Sequence, residues 1–204
     1  MNRSYYILGW GYVLACCGLL VRAHDQRVAS SAGSSVYAAP TNDAIQWFRR
    51  VKPYCNSVEV QTIQRQSPPP NTVAGAGYRA ACYALAGRVD DARRVIDQLS
   101  PADRYKASGI VFDVGHPVAD AGDDRSAGPI MELVIDYWPN HYMALYHAGM
   151  AEYMLGQRDL ARHNLQEFQK YYHERDGWTQ NAVEVLKRLD TPDAAPLRRP
   201  SDPQ

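Results

Sequence analysis

Two kinds of small residue recur along this chain at one interval, and that interval limits what it can fold into. Gly87, Gly122 and Gly156 stand 35 and 34 residues apart, and Ala92, Ala127 and Ala161 keep the same two spacings. Around them, Tyr83-Ala84-Leu85-Ala86-Gly87-Arg88 matches Tyr153-Met154-Leu155-Gly156-Gln157-Arg158 in pattern. A period of this length is one helical hairpin per copy. Small residues at Ala80 and Gly149 let two antiparallel helices approach closely, and Ala92 and Ala161 fall where the second helix crosses the first. Gly87 and Gly156 permit the left-handed backbone that ends a helix. One hairpin cannot bury its own apolar face, so successive hairpins stack and the last one needs a cover. Trp178, Ala182, Val183, Val185, Leu186 and Leu189, after Asp176-Gly177, supply an amphipathic helix for that purpose.

The residues that carry the period place Val73 to Tyr171 in resemblance to the tetratricopeptide-repeat (TPR) family, of a bacterial exported or lipoprotein type. The last copy holds Leu145, Gly149, Gly156, Ala161, Leu165 and Phe168 at signature positions, and the first holds Ala80, Tyr83, Gly87, Ala92, Ile96 and Leu99. The middle copy keeps Gly115, Gly122, Ala127, Met131 and Pro139. The resemblance implies an all-α fold: a short α-solenoid of antiparallel helix pairs with a C-terminal capping helix. Its repeats would span about 73–106, 108–141 and 142–175 within a helical domain from 42 to 190. The family's binding groove is lined from the first helix of each pair. By position this nominates Tyr78, Met143, Tyr146, His147, Met150, Tyr153 and Met154, with Ala81 and Leu85, for a protein or peptide partner.

The middle copy departs from the pattern, because Pro117 and the polar residues around it predict a break in its first helix. The resulting loop, 113–124, gathers Asp113, His116, Asp120, Asp123 and Asp124 with two glycines. It is the one segment where a cation or a small hydrolytic centre would find ligands or acid/base groups. The alternative is a solvated insertion whose acids cap helices. Its spacing fits no EF-hand, since the acids do not alternate and no Glu closes the loop.

Ahead of the periodic region, Ala44, Trp47, Phe48 and Val51 repeat at helical spacing, with Asn42 or Asp43 as cap and Pro53 as stop. Val58, Val60 and Ile63 suit either a short strand or a helix capped by Ser57, and Pro68 to Pro70 end whichever forms. The first 23 residues read as a signal peptide or lipoprotein signal: Arg3, then Tyr5 to Val21 without a charge, then Arg22-Ala23-His24-Asp25. Cleavage after Ala23, lipidation at Cys16 within Val13-Leu14-Ala15-Cys16, and retention as a membrane tether are the three outcomes this pattern allows. Residues 24–41, rich in Ala, Ser and Gly, read as a flexible linker, and 191–204, with four prolines, as a disordered tail.

Export to the periplasm or cell envelope leaves Cys55 and Cys82 as the pair in the body, either bonded or as two buried thiols. No CxxC or CxxH spacing marks a metal site. The balance of 22 basic against 22 acidic residues offers nothing that would concentrate the chain on nucleic acid. Gly75-Ala76-Gly77-Tyr78-Arg79-Ala80 imitates a dinucleotide fingerprint, but that motif works between a strand and a helix, and three prolines precede it here. No GxSxG, HExxH or Walker sequence occurs. His141, His147, His163 and His173 imply no metal by themselves. The expectation is a binding scaffold without catalytic activity or cofactor, exported to the cell envelope, that holds a protein or peptide partner.

Overall fold

Helix α1 (Pro40–Val51) starts inside the end of the expected linker and turns Ala44, Trp47, Phe48 and Val51 into the core. It opens a computed structural model that describes residues 40–191, with side chains from Asp43 onward. The signal segment with Cys16, the linker up to residue 39 and the tail from 192 lie outside the described residues. Within them the chain is all-helical: nine α-helices and a short 3-10 turn, without a strand. None of these helices is long and apolar enough to cross a membrane.

After the 3-10 turn (Lys52–Tyr54), Val60–Gln66 forms α2, so the ambiguous Val58 to Ile63 stretch is helical. Asn56, rather than Ser57, organises its start, accepting from the backbone N–H of Val58 at 3.1 Å and of Glu59 at 3.0 Å. The triple proline ends it, and the Trp47 indole donates to the Ser67 carbonyl at 2.9 Å. Cys55 and Cys82 are joined by a disulfide that ties this entry segment to α3 (Val73–Leu85). Thr72 caps α3 by accepting from Gly75 N–H at 3.0 Å. The glycines that imitate a nucleotide fingerprint serve packing. A Cβ on Gly75 would lie 2.0 Å from the Pro70 oxygen, and one on Gly77 would lie 2.8 Å from Ile110.

Three helical hairpins follow: α3 with α4 (Val89–Asp97), α5 (Pro101–Asp120) with α6 (Asp124–Tyr137), and α7 (Tyr142–Met154) with α8 (Arg158–Tyr171). Each turns on a glycine of the 35/34 spacing. Gly87, Gly122 and Gly156 have φ of 72°, 79° and 77°. Past each glycine the backbone closes the same way, with Arg88 N–H on the Tyr83 carbonyl, Asp123 on Val118 and Gln157 on Glu152. This is the Schellman closure, which meets the carbonyls a helix end leaves open. The small residues before the turns serve the pairing. Ala80 is fully buried. A Cβ on Gly115 would fall 2.5 Å from Ile130 Cγ2, and one on Gly149 2.7 Å from Leu165 Cγ. Ile96, Met131 and Leu165 are buried on the second helix of each hairpin.

The expected break in the middle hairpin does not occur, since α5 runs unbroken through Pro117 to Asp120. An interior proline removes one helical hydrogen bond, here to the Asp113 carbonyl, at a cost of about 3 kcal/mol. Asp113 and Pro117 are both exposed, one turn apart on the solvent side, so water can meet that carbonyl. On the other side Gly115 and Ala119 are buried and hold the last turns in place. Ser100 fixes the start of the helix, accepting from Asp103 N–H at 3.3 Å, with Pro101 in the first turn. The middle hairpin therefore spans 101–137 rather than 108–141.

Polar ties join neighbouring hairpins. The Tyr137 hydroxyl donates to Asp97 at 2.7 Å, and Arg93 pairs with Asp136 at 2.6 Å. The last helix, α9 (Gly177–Leu189), packs on α7 and α8. Asp176 caps its start, and Arg158 and Arg162 of α8 donate to the Leu189 carbonyl at its end, at 2.6 and 3.0 Å.

Close approach at Gly149 should therefore limit stability. Replacing it with Ala drives a methyl into Leu165 and is expected to cost about 1–3 kcal/mol. Gly177→Ala, where nothing lies within 4 Å of the added atom, should stay within about 0.5 kcal/mol of the parent. Urea midpoints of the two variants check this.

Candidate functional site

Because α5 is continuous, residues at spacings of four, three, four and four line one stripe along it: Tyr105, Gly109, Phe112, His116 and Asp120. Such a stripe covers one side of a helix. It meets the link between α6 and α7. Trp138 lies 4.1 Å from the Tyr105 ring, and Gly109 leaves room for its indole, 3.5 Å from where a Cβ would stand. His141 caps α7, its Nδ1 accepting from Ala144 N–H at 3.2 Å. Burial pushes its pKa below the ordinary histidine value, in keeping with an unprotonated Nδ1 that accepts a hydrogen bond.

From this point the rings close a circuit. His141 touches Phe112 at 4.1 Å, Phe112 stacks on His116 at 4.9 Å, and His116 meets His147 edge-on at 4.8 Å. His147 meets Trp178 of α9 at 6.2 Å, and Trp178 lies 6.1 Å from Tyr172. Tyr172 stacks on Tyr142 at 5.0 Å, and Tyr142 returns to His141 at 6.3 Å. Tilted and edge-on arrangements of this kind satisfy the ring quadrupoles, and each pair contributes about 0.5–1.5 kcal/mol. Tyr105 and Tyr142 are exposed, at 45% and 40%, whereas Tyr172 is half-buried. Asp176 holds Trp178 in place, accepting from its backbone N–H at 3.0 Å and from the Tyr172 hydroxyl.

Where His116 meets His147, three ligand-type atoms converge from two helices. His116 Nε2 lies 3.5 Å from Asp120 Oδ1, and His147 Nε2 lies 3.8 Å from the same oxygen. All three lie within 4.8 Å of one another. His116 and Asp120 are one turn apart on α5, and His147 reaches them from α7. Asp113, on the same helix, is exposed and acts through its charge on Tyr78 and His141.

The residues singled out in the sequence are distributed unevenly. Segment 113–124 is helix up to Asp120 rather than a loop. Asp123 caps α6, accepting from Ser126 N–H at 3.2 Å, and Asp124 begins that helix. Among the nominated groove residues His147 belongs to the ring circuit, while Tyr78 stacks on Phe48 at 5.0 Å, away from it. Met143, Met150 and Met154 are half-buried. Tyr146 and Tyr153, expected on the groove, are only 8% and 9% exposed, packed in a core with Leu145, Phe168 and Val185. The reason is the composition of α7, which is apolar on every side and is covered by α6, α8 and α9.

Tyr105, Phe112, Trp138, Tyr142, Tyr172 and Trp178 were not nominated for binding. Only Tyr105 and Phe112 had a signal, the stripe on α5; Trp138, Tyr142, Tyr172 and Trp178 lie on other elements that no spacing joins to it. No known protein family, characterised protein or solved structure matches the chain, so the site is read from its own geometry.

A second convergence of ionisable groups lies between α6, α7 and α8, under the surface. Glu152 is only 2% exposed. Asn164 Nδ2 donates to both its oxygens at 2.8 and 3.0 Å, and lies 3.4 Å from Glu132. Burial first, then the hydrogen bond with Glu132, pushes the Glu152 carboxyl up from 4.5 to about 9. A carboxyl whose pKa is raised on folding contributes its full stability below its unfolded pKa and loses it as pH rises towards the folded one. Stability should thus fall between about pH 4.5 and pH 9, by at most about 1.4 kcal/mol per pH unit. Glu152→Gln keeps the hydrogen-bonding shape without the titrating proton and should flatten that slope. Unfolding midpoints of both proteins at pH 5, 7 and 9 provide the check; parallel slopes would exclude Glu152 as the source.

Proposed function

We propose that this chain is an exported scaffold that holds a segment of a partner protein on the ring surface of α5, α7 and α9. In this reading the three hairpins form a short TPR-like α-solenoid, α9 is its cap, and the N-terminal segment either directs export or tethers the body to the membrane. The common turn geometry at Gly87, Gly122 and Gly156 supports the repeat. The Cys55–Cys82 disulfide supports an oxidising compartment outside the cytosol.

The observation that carries the proposal is the closed circuit of partly buried rings, with Tyr142 exposed, flanked by Tyr105 and Trp138. Soluble proteins keep large rings where they stabilise a core or anchor a partner. Here Tyr105 and Tyr142 remain exposed after the core is formed. Aromatic-lined surfaces accept extended segments bearing proline and aromatic side chains, because a preformed extended chain loses little entropy on docking. Such a segment is the occupant we assign. The scaffold needs no cofactor and no catalytic residue for this role.

Selection from a displayed peptide library against the purified chain should enrich sequences of that composition. Tyr105→Ala and Tyr142→Ala, at exposed positions that leave the core intact, should each weaken the selected peptides by about tenfold or more. Leu160→Ala, exposed on α8 outside the circuit, should bind as the parent does. Failure to enrich any sequence, or equal binding by both tyrosine variants, would overturn the assignment.

A further inference from the structure

We propose that His116, Asp120 and His147 form a three-ligand site for a divalent transition-metal ion of the zinc class. His116 Nε2 is shielded from solvent and has no hydrogen-bond partner. Buried polar atoms left in this state are exceptional and point to a missing partner. Its nearest charged neighbour, Asp120 Oδ1 at 3.5 Å, is too far for a hydrogen bond, and His147 Nε2 is 3.8 Å from the same oxygen. These separations suit a shared ion better than a direct bond. With metal–ligand bonds of about 2.1 Å, the edges of a tetrahedral site measure about 3.4 Å. The two edges at Asp120, 3.5 and 3.8 Å, exceed this by about 0.1 and 0.4 Å, and the edge between the imidazole nitrogens is within 4.8 Å. Asp120 is exposed, so its carboxylate can turn inward to close them.

The rest of the geometry is that of a built site. His116 and Asp120 stand one turn apart on α5, so a rigid helix fixes their spacing, and the third ligand comes from a different helix. The Phe112 ring stacks on the His116 imidazole, and the Trp178 ring meets that of His147 edge-on. Two imidazole nitrogens and one carboxylate oxygen select zinc, copper or nickel over magnesium and calcium, which require mostly oxygen ligands. Three protein ligands leave the fourth position to water. The site does not depend on partner docking, because Tyr105 and Tyr142 contribute no ligand, and the two tests fail separately.

The test uses the full chain, purified in detergent without an affinity tag, stripped with chelator and alkylated at Cys16 and Cys17. Titration with Co2+ should produce the visible bands of a four-coordinate ion at one equivalent, and Zn2+ should displace them. Mg2+ and Ca2+ should not. Loss of a second-shell partner alone costs about 10- to 100-fold in affinity, so H116A, H147A and D120N should each lose at least that much. H163A, at an exposed histidine of α8, should titrate as the parent does. D120N alters an exposed side chain and leaves the packing intact, so it decides the outcome even where a histidine variant misfolds by circular dichroism. Absence of the cobalt bands in the parent, or bands of equal strength in D120N, would overturn the proposal.

Discussion

At Gly115 and Gly149 there is no room for a side chain: an added Cβ would lie 2.5 Å from Ile130 and 2.7 Å from Leu165. The spacing of the helices in the second and third hairpins, and with it much of the molecule, depends on this. Interaxial distance is set by the side chains at the crossing, so a glycine there brings two helices to the short end of the range. The residues opposite, Ile130 and Leu165, can then be large and fully buried. The first hairpin reaches a similar arrangement with Ala80 and Ile96, both at zero exposure. Each hairpin also needs a chain reversal within three residues, and the positive φ of its glycine provides it.

Close packing of this kind leaves few places for polar groups, and those it does bury are held by partners. Glu152 sits at such a place, on the α7 side facing α8, and keeps its burial through Asn164 and Glu132. A lone carboxylate there would lose its hydration without compensation. A neutral carboxyl with hydrogen bonds on both oxygens loses far less. Asp120 is the opposite case. It is exposed near the end of α5, with its carboxylate in reach of two imidazoles. The buried acid therefore belongs to the fold, and the exposed one to the surface chemistry.

Much of this architecture was legible in the sequence. The spacing of Gly87, Gly122 and Gly156 located every hairpin turn, and Ala44, Trp47, Phe48 and Val51 located α1. The course of α5 was not legible, because a proline inside a helical pattern ordinarily ends the helix. Local rules could not weigh that cost against the burial of Gly115 and Ala119 on the far side of the same helix. The groove residues were assigned from a family pattern that places one side of each first helix on the surface. In α7, covered by α6, α8 and α9, both Tyr146 and Tyr153 lie inward instead. Nothing in the periodicity of an evenly apolar helix says which side its neighbours leave open. Pairings across helices, such as His116 with His147, are tertiary facts that no spacing of 31 residues encodes.

The position of those two histidines nevertheless follows from the glycines. His116 is adjacent to Gly115, and His147 lies two residues before Gly149. Successive residues on a helix point about 100° apart, so when Gly115 faces Ile130 on α6 its neighbour turns aside, towards α7. The same glycine that fixes the depth of α5 against α6 thereby fixes where His116 stands. Gly149 fixes α7 against α8 in the same way, and His147 is carried with it. The separation of the imidazoles is thus determined by two rigid crossings rather than by loops, which is the arrangement that holds ligand atoms within a few tenths of an ångström. A substitution that pushes either crossing apart should therefore disturb the His116–His147 contact before it unfolds the hairpin.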